Sequence, residues 1–495
     1  MASSDTKDYI SVADFYAGKS VFVTGATGFL GKLLVEKLLW SCPGIEKIFL
    51  LIRRKGNEDE ESRLATVLGT PVFDRLRKYR PNDLKKIAVI SGDLSKPFLS
   101  ISLKDQEILI RTASIVFHVA ATVRFNEPLK ESVTVNTTAT KYLAEFCSRM
   151  PNIKAFVYIS TAYSNCDRDE VGEEFYNAVH DAETIIRLVE IMDGDIIDAL
   201  TPKLLGKLPN TYTYTKALAE NVLQKYNKKL PIVVVRPSIV LSTIMEPMPG
   251  WIDSWNGPSP FVAAGAKGLL HGLAGDASMV ADVIPADIVV NLTICAAWRT
   301  ASKTGIENIE VYNCCTGERN PVTWGTFLKC CYEAVLKNPP DELISYPFFA
   351  LQRHQCIRFI QKLFLEQLPA FFIDLIYHLA GKKAIMLNIH AKLIRVNDAL
   401  LFALLRQWQF RDNNTHNLLT FLKKEDQQIF PFNVCNIDWP SFLETYYLGI
   451  RHYLLKDSPN SVVYTRKRLE RLKWMNIYVP CLLIIFAILY IVFKL

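Results

Sequence analysis

Tyr212 and Lys216, in PNTYTYTKALAE, stand four residues apart, a spacing that puts a phenol and an ammonium on one face of a helix. A phenol titrates near ~10, and a neighbouring cation lowers that toward working pH, making the hydroxyl an acid for a developing alkoxide. With 20 tyrosines in the chain, about one such pair arises by accident, so its weight depends on what stands upstream. Upstream lies TGATGFLG, in which Gly25, Gly28 and Gly31 separate an apolar run from a helical pattern. Glycines there permit a tight turn, close approach of backbone to a pyrophosphate and close packing of helix on strand, while the helix amino terminus offers N–H groups to phosphate. A dinucleotide cradle followed by a tyrosine acid is the equipment of hydride transfer to a carbonyl.

Three further positions fit that chemistry. The second apolar run ends in Arg53-Arg54-Lys55, where an NAD-specific site carries an acid for the ribose hydroxyls. A guanidinium pair suits the 2′-phosphate of NADPH, and a solvated basic loop is the other reading of the same residues. Asp93, in Gly92-Asp93-Leu94 past the third run, is placed to bind the adenine amino group. Ser160 and Thr161 follow the run Phe156–Ile159, at the edge where open α/β sheets bind ligands. Thr161 is the first choice and Ser160 the second for a hydrogen bond to the substrate carbonyl, the alternative being a hydroxyl that caps the next turn. His118 ends another run and is assigned no catalysis, since a hydrogen-bonded structural histidine accounts for it equally well. The cysteine pairs Cys314-Cys315 and Cys330-Cys331 match no metal spacing, and no metal site is expected.

The elements that must position these groups follow from the apolar pattern. Short runs at Lys19–Thr24, Ile48–Ile52, Ile87–Ile90, Ile115–Val119, Phe156–Ile159 and Ile232–Val235 alternate with helical stretches. Near-continuous apolar strands of this kind predict an α/β, doubly wound parallel sheet covered on both faces. After about Pro340 the alternation fades into a helical texture rich in Leu, Ile and Phe. The expected organisation is a reductase domain over 1–345, a helical C-terminal domain over 346–456, a linker and basic flank over 457–476, and a transmembrane helix over 477–493.

That last segment, IYVPCLLIIFAILYIVF, carries no charge and reaches the lower limit for crossing a bilayer. Arg466, Lys467, Arg468, Arg471 and Lys473 precede it and favour a cytosolic flank. The amino-terminal MASSDTKDYI has no apolar core, so no secretory signal is expected. The expected localisation is therefore a membrane, held by a single C-terminal anchor with the catalytic domain in the cytosol. A net charge of +7, ungathered into long blocks, predicts no nucleic-acid partner. The 11 cysteines are scattered and read as reduced thiols.

TGATGFLG, HVAATVRFNE, YISTAYSNC, NTYTYTKALAE, VVVRPSIV and EPMPGWIDSWNGPSP, in this order, resemble the animal fatty acyl-CoA reductases of the extended short-chain dehydrogenase superfamily. The similarity runs from about Gly18 to Lys456 and includes the terminal anchor. It implies NADPH-dependent reduction of long-chain acyl-CoA to a primary fatty alcohol with release of CoA, at a peroxisomal or endoplasmic reticulum membrane whose lipid takes up tail and product. By that resemblance Gly25, Gly28 and Gly31 hold the pyrophosphate, Arg53 and Arg54 lie near the 2′-phosphate and Asp93 near adenine. Tyr212 and Lys216 form the catalytic pair, Lys216 also bonds the nicotinamide ribose, and Pro237 and Ser238 border the nicotinamide. Two other readings share these motifs: a membrane-anchored sterol or sugar-nucleotide oxidoreductase of the same superfamily, and a scaffold that binds NADPH without turnover.

Overall fold

Each of the six apolar runs forms a strand, and a seventh strand joins them. In the computed structural model, which describes residues 9–270, 272–303, 308–383 and 385–475, the strands are β1 (Ser20–Thr24), β2 (Lys47–Ile52), β3 (Ile87–Ser91), β4 (Ala113–His118), β5 (Ala155–Ile159), β6 (Ile232–Pro237) and β7 (Glu310–Cys314). They form one sheet in the order β3-β2-β1-β4-β5-β6-β7, every neighbouring pair parallel. Residues along β1, β4, β5 and β6 are buried throughout, as strands covered on both faces must be. Chain order reverses between β1 and β4, and ligands bind outside the carboxyl ends of strands at such a switch point. The register aligns those ends: Thr24 lies opposite His118, His118 opposite Tyr158, and Ile159 opposite Val235.

Four helices matter for the site: α1 (Phe29–Ser41), α2 (Ala139–Cys147), α3 (Thr211–Gln224) and α4 (Ala286–Ala301). Leu143 and Ala144 of α2 and Ala219 and Leu223 of α3 share one core with Phe22, Val116, Phe156 and Val234 of the sheet. The helix α4 packs on α1 and against β5 and β6. The strand β7 escaped sequence reading because EVYNC mixes polar with apolar residues. It becomes a strand by pairing with β6 from Val233 to Pro237.

The chain forms two compact units whose segments alternate along the sequence. The described residues up to Met248, with Asp282–Pro321 and Trp408–Ile437, make the first; Pro249–Ala281, Val322–Gln407 and the described residues from Asp438 onward make the second. The sequence division at 345 is a single cut, whereas Trp408–Ile437 returns to the first unit. It is stitched there by pairing of Gln409–Phe410 with Glu170–Val171. The Asn313 side-chain amide also donates to the carbonyls of Val171 at 3.2 Å and Arg411 at 2.7 Å.

The second unit contains the helices α5 (Trp324–Lys337), α6 (Leu368–Leu379), α7 (Met386–Leu405) and α8 (Trp439–Gly449). The pair α5 and α8 packs together, and the Trp324 indole donates to the carbonyl of Ala403 in α7 at 2.9 Å. Among the described residues no helix is long and apolar enough to cross a membrane. The anchor expected at 477–493 lies outside the described residues.

Candidate active site

The glycine turn after β1 is built so tightly that side chains are excluded. Gly25 has a φ of +77°, and a Cβ on it would fall 2.5 Å from the Ala120 nitrogen; a Cβ on Gly31 would fall 2.2 Å from the Gly25 carbonyl oxygen. Gly28 donates its N–H to the Gly25 carbonyl at 3.0 Å and is the cap residue of α1, whose first turn holds no acid. A helix amino terminus with a side-chain-free cap and no carboxylate beside it fits a dinucleotide pyrophosphate. Arg53 and Arg54 are exposed immediately past β2. Past β3, Asp93 accepts from the backbone N–H and hydroxyl of Ser95 at 3.0 and 2.8 Å, and its own N–H donates to the Leu99 carbonyl at 2.7 Å. Phe98, Leu99 and Ser100 all have positive φ (51°, 58° and 47°), each costing roughly 1–2 kcal/mol. Complete burial of Leu99 helps hold that strained turn in place.

The proton-bearing residue is fixed from three sides. Asn210 caps α3, its side-chain oxygen accepting from the Thr213 N–H at 2.9 Å. Thr211 donates to the Glu127 carbonyl at 3.0 Å. Asn136 ties α3 to the loop after β4: it accepts from the Thr122 N–H at 2.9 Å and donates to the Thr122 carbonyl at 3.1 Å and the Thr215 hydroxyl at 3.0 Å. Tyr212, in the first turn thus held, lies close enough to the Thr161 hydroxyl for that group to pull its pKa down, and its ring centroid lies 5.8 Å from that of Phe125. Thr161 also contacts the carbonyl of Pro237 at 3.4 Å. The Ser238 N–H donates to the Cys314 carbonyl at 3.1 Å, which fixes the end of β6 beside them.

One turn further along α3, Lys216 is 2% exposed. Its Nζ donates to the Ile159 carbonyl at 2.7 Å and lies 4.7 Å from the centre of the Tyr158 ring. Burial pulls the Lys216 amine down to about 7, opposed by attraction to Glu220. Burial pushes the Tyr212 phenol up to about 12, and the Thr161 hydroxyl pulls the other way. The four-residue spacing predicts an ammonium that favours phenolate, whereas burial moves both groups toward their neutral forms. Desolvation is the largest influence on both groups, lowering the amine, which donates to a backbone carbonyl, and raising the phenol.

Ser160 faces a different partner from its neighbour. Its hydroxyl donates to Glu220 Oε1 at 2.5 Å, and Ser164 donates to the same oxygen at 3.1 Å. Arg236 completes the network with bonds of 3.0 and 2.6 Å to the two carboxylate oxygens. Both charged side chains are essentially sealed from water, at 0% and 2% exposure. His118 is held between the hydroxyls of Thr24 at 2.8 Å and Thr140 at 3.0 Å. Burial, with the Lys216 charge adding to it, lowers its pKa to about 3, so it is a neutral spacer in the sheet.

Residues 23–293 match a family model of NAD-binding type described as Male sterility protein, and residues 365–457 match a second model of the same description. Fatty acyl-CoA reductase 1 of Xenopus laevis is 38% identical over 464 residues, which cover 94% of this chain and 90% of that relative. The chain belongs to the fatty acyl-CoA reductase family. The human Fatty acyl-CoA reductase 1 is 37% identical over the same shares, and Fatty acyl-CoA reductase 2 of Bos taurus is 37% identical over 93% of this chain and 90% of its own. Among solved structures, the terminal R domain of the myxalamid PKS-NRPS pathway superposes with a TM-score of 0.58 at 18% identity, covering 88% of this chain and 91% of that one. That likeness shows the fold.

Membership in the fatty acyl-CoA reductases makes the protein an oxidoreductase with an NAD(P)-binding domain. The structure brings Tyr212, Thr161 and Pro237 together, gives Lys216 to the Ile159 carbonyl, and directs Ser160 to Glu220. Sequence reading missed three residues that hold these elements in place: Glu220, Arg236 and Asn136. Two of them left a signal. Glu220 follows Lys216 by one helical turn, and Arg236 interrupts the apolar run VVVRPSIV. Asn136, among the threonines of VTVNTT, left none.

Proposed function

We propose that the protein is an alcohol-forming reductase that takes long-chain fatty acyl-CoA to a primary fatty alcohol and free CoA at the expense of NADPH. The observation that carries this reading is the Tyr212–Thr161 hydroxyl pair at the carboxyl edge of the sheet, across the switch point from the glycine cradle, in a chain of this family. Two hydrides and two protons balance the conversion of thioester to alcohol and CoA thiol. A dinucleotide with its pyrophosphate on the glycine cradle and its nicotinamide beside Pro237 and Ser238 would supply each hydride to the carbonyl carbon. Thr161 and Tyr212 orient and polarise the carbonyl oxygen, and the Tyr212 phenol, kept protonated by its burial, gives its proton to the developing alkoxide. The hemithioacetal collapses to aldehyde as its hydroxyl returns the proton to the Tyr212 phenolate and CoA leaves as thiolate, which takes a proton from water; the same pair serves the aldehyde in the second reduction, after which water restores the Tyr212 proton.

Arg53 and Arg54, exposed past β2, are the residues that would take the 2′-phosphate, Asp93 the adenine, and Lys216 the nicotinamide ribose, with Pro237 and Ser238 bordering the nicotinamide. The basic flank and the apolar segment 477–493 support a tail anchor in the peroxisomal or endoplasmic reticulum membrane, with the catalytic unit in the cytosol and substrate drawn from the lipid phase. The test is to incubate membranes bearing the protein with NADPH and acyl-CoAs of graded length and separate the lipids by gas chromatography. Primary alcohol formed only with NADPH is the expected result; its absence with every chain length would overturn the proposal.

A further inference from the structure

Large apolar side chains line one exposed face of α6. Leu368, Phe371, Phe372, Leu375, Ile376 and Leu379 recur at helical spacing, with exposures from 37% to 78%. Phe359, Ile360 and Phe364, each more than half exposed, extend the surface toward the amino-terminal side. A helix normally turns such a stripe toward a core, and a contiguous apolar surface of this kind marks a contact with something other than water.

The acids of the same segment point the other way. Glu366 is buried, holding Arg358 through bonds of 2.9 and 3.0 Å and His390 through one of 2.9 Å. Asp374 is buried and accepts from the backbone N–H groups of Ile385, Met386 and Leu387 at 2.8–2.9 Å, capping the start of α7. The exposed charges nearby are cationic, with Lys382 and Lys383 in the turn after α6 and Lys392 and Arg395 on α7; Asp398 is the exposed acid of α7. The segment therefore offers an uninterrupted apolar face rimmed by cations.

We propose that this face of α6, with Phe359, Ile360 and Phe364, lies in the interface of an anionic lipid bilayer. A 12-residue helix is too short to span a bilayer, whereas lying in the interface requires only one apolar face flanked by cations that reach the phosphates. The rim also selects lipid over a second copy of the chain. A two-fold interface through α6 would set the cationic rims of both copies against each other. The contact goes beyond the tail anchor and does not rest on it.

The test uses the full chain in phosphatidylcholine–phosphatidylserine vesicles that carry a phospholipid with a photoactivated carbene precursor on its acyl chain, with adducts mapped by mass spectrometry. Lipid adducts in peptides from 359–379 are expected, and the triple variant Phe371→Ser, Phe372→Ser, Ile376→Ser should lose them about tenfold. Reversal of charge in Lys382→Glu with Lys383→Glu should weaken the labelling severalfold when phosphatidylserine is present and little without it. Adducts confined to 477–493 would overturn the proposal while leaving the anchor standing, and protein–protein cross-links through 368–379 in place of lipid adducts would also overturn it. Labelling of 359–379 without 477–493 would uphold it and remove the anchor instead.

Discussion

The helices α3 and α6 solve opposite problems with the same periodicity. On α3, Lys216 and Glu220 stand one turn apart and both are 2% exposed. Each is kept inside by partners: the Ile159 carbonyl for the amine, and Ser160, Ser164 and Arg236 for the carboxylate. On α6 the aspartate goes inside and Phe372 stands 57% exposed. The contrast teaches that side-chain polarity does not decide burial by itself. A charge stays buried where the fold supplies enough donors and acceptors to replace water, and an apolar face stays outside where its surroundings are not water.

The sharpest way to strain this comparison is at the acid. Tyr212→Phe keeps the ring packed on Phe125 and removes only the proton, so kcat for alcohol formation should fall by roughly 10²–10⁴. Cofactor affinity, measured by quenching of nicotinamide fluorescence, should change less than about twofold, because the glycine cradle is untouched. A variant that kept more than about a tenth of the activity would remove Tyr212 from the role of acid.

Next in size is the buried network. Glu220→Ala leaves the Arg236 guanidinium sealed from water without its carboxylate, and should cost about 3–5 kcal/mol in denaturant unfolding. Its counterpart on α6, Phe372→Ser, should change stability by less than about 0.5 kcal/mol, as an exposed position does. Comparable losses at the two sites would erase the distinction between them.

How much of this was legible beforehand follows the range of the interactions. The turn at Gly25, Gly28 and Gly31 is dictated within a few residues by backbone clearance, and the six strands are apolar runs long enough to recognise. The alternation of the units along the sequence was not legible, because Trp408–Ile437 is claimed by partners such as Asn313 and Val171 that lie far away in sequence. The burial of the site was not legible for a related reason. A four-residue spacing places Lys216 near Tyr212 on the helix, but only the packed sheet reveals that both groups lose their water. Sequence reading ranks Thr161 ahead of Ser160 without a reason to separate them; adjacent residues at the end of a strand point to opposite sides, and Ser160 meets Glu220 while Thr161 meets Tyr212.

A smaller effect is expected at the cationic end of β2. Arg53→Ala with Arg54→Ala should lower the ratio of kcat/KM for NADPH over NADH by about 10- to 100-fold, the worth of one or two charge-assisted bonds to a phosphate. Steady-state rates with both cofactors measure it. Equal use of the two cofactors by the unaltered protein would leave the arginines as a solvated loop and confine the functional contrast to the two helices.

The smallest effect concerns Lys216 and is decided by its sign. In the unfolded chain the amine titrates near its ordinary 10.5, and in the folded protein burial brings it to about 7. Between those values the unfolded state binds the extra proton, so stability contributed at this position is greatest above about pH 10.5 and is lost as pH falls toward 7. Below that the full cost of burying the charge is present. Lys216→Met removes the cost, whose ceiling for a displacement of this size is ~5 kcal/mol. It also removes the hydrogen bond to Ile159, at ~1 kcal/mol, and the contact with the Tyr158 ring, at ~1–2 kcal/mol, while the attraction to Glu220 is already contained in the value of about 7. The net gain should be about 1–2 kcal/mol at pH 6–7, read from denaturant midpoints at constant ionic strength. It should shrink and then reverse as pH approaches 10, where the native amine is neutral and keeps its hydrogen bond to Ile159 without the cost of the charge. A variant equally stabilised at both pH values would mean that Lys216 is not desolvated in the folded protein, and that α3 does not bury charge in the way that sets it apart from α6.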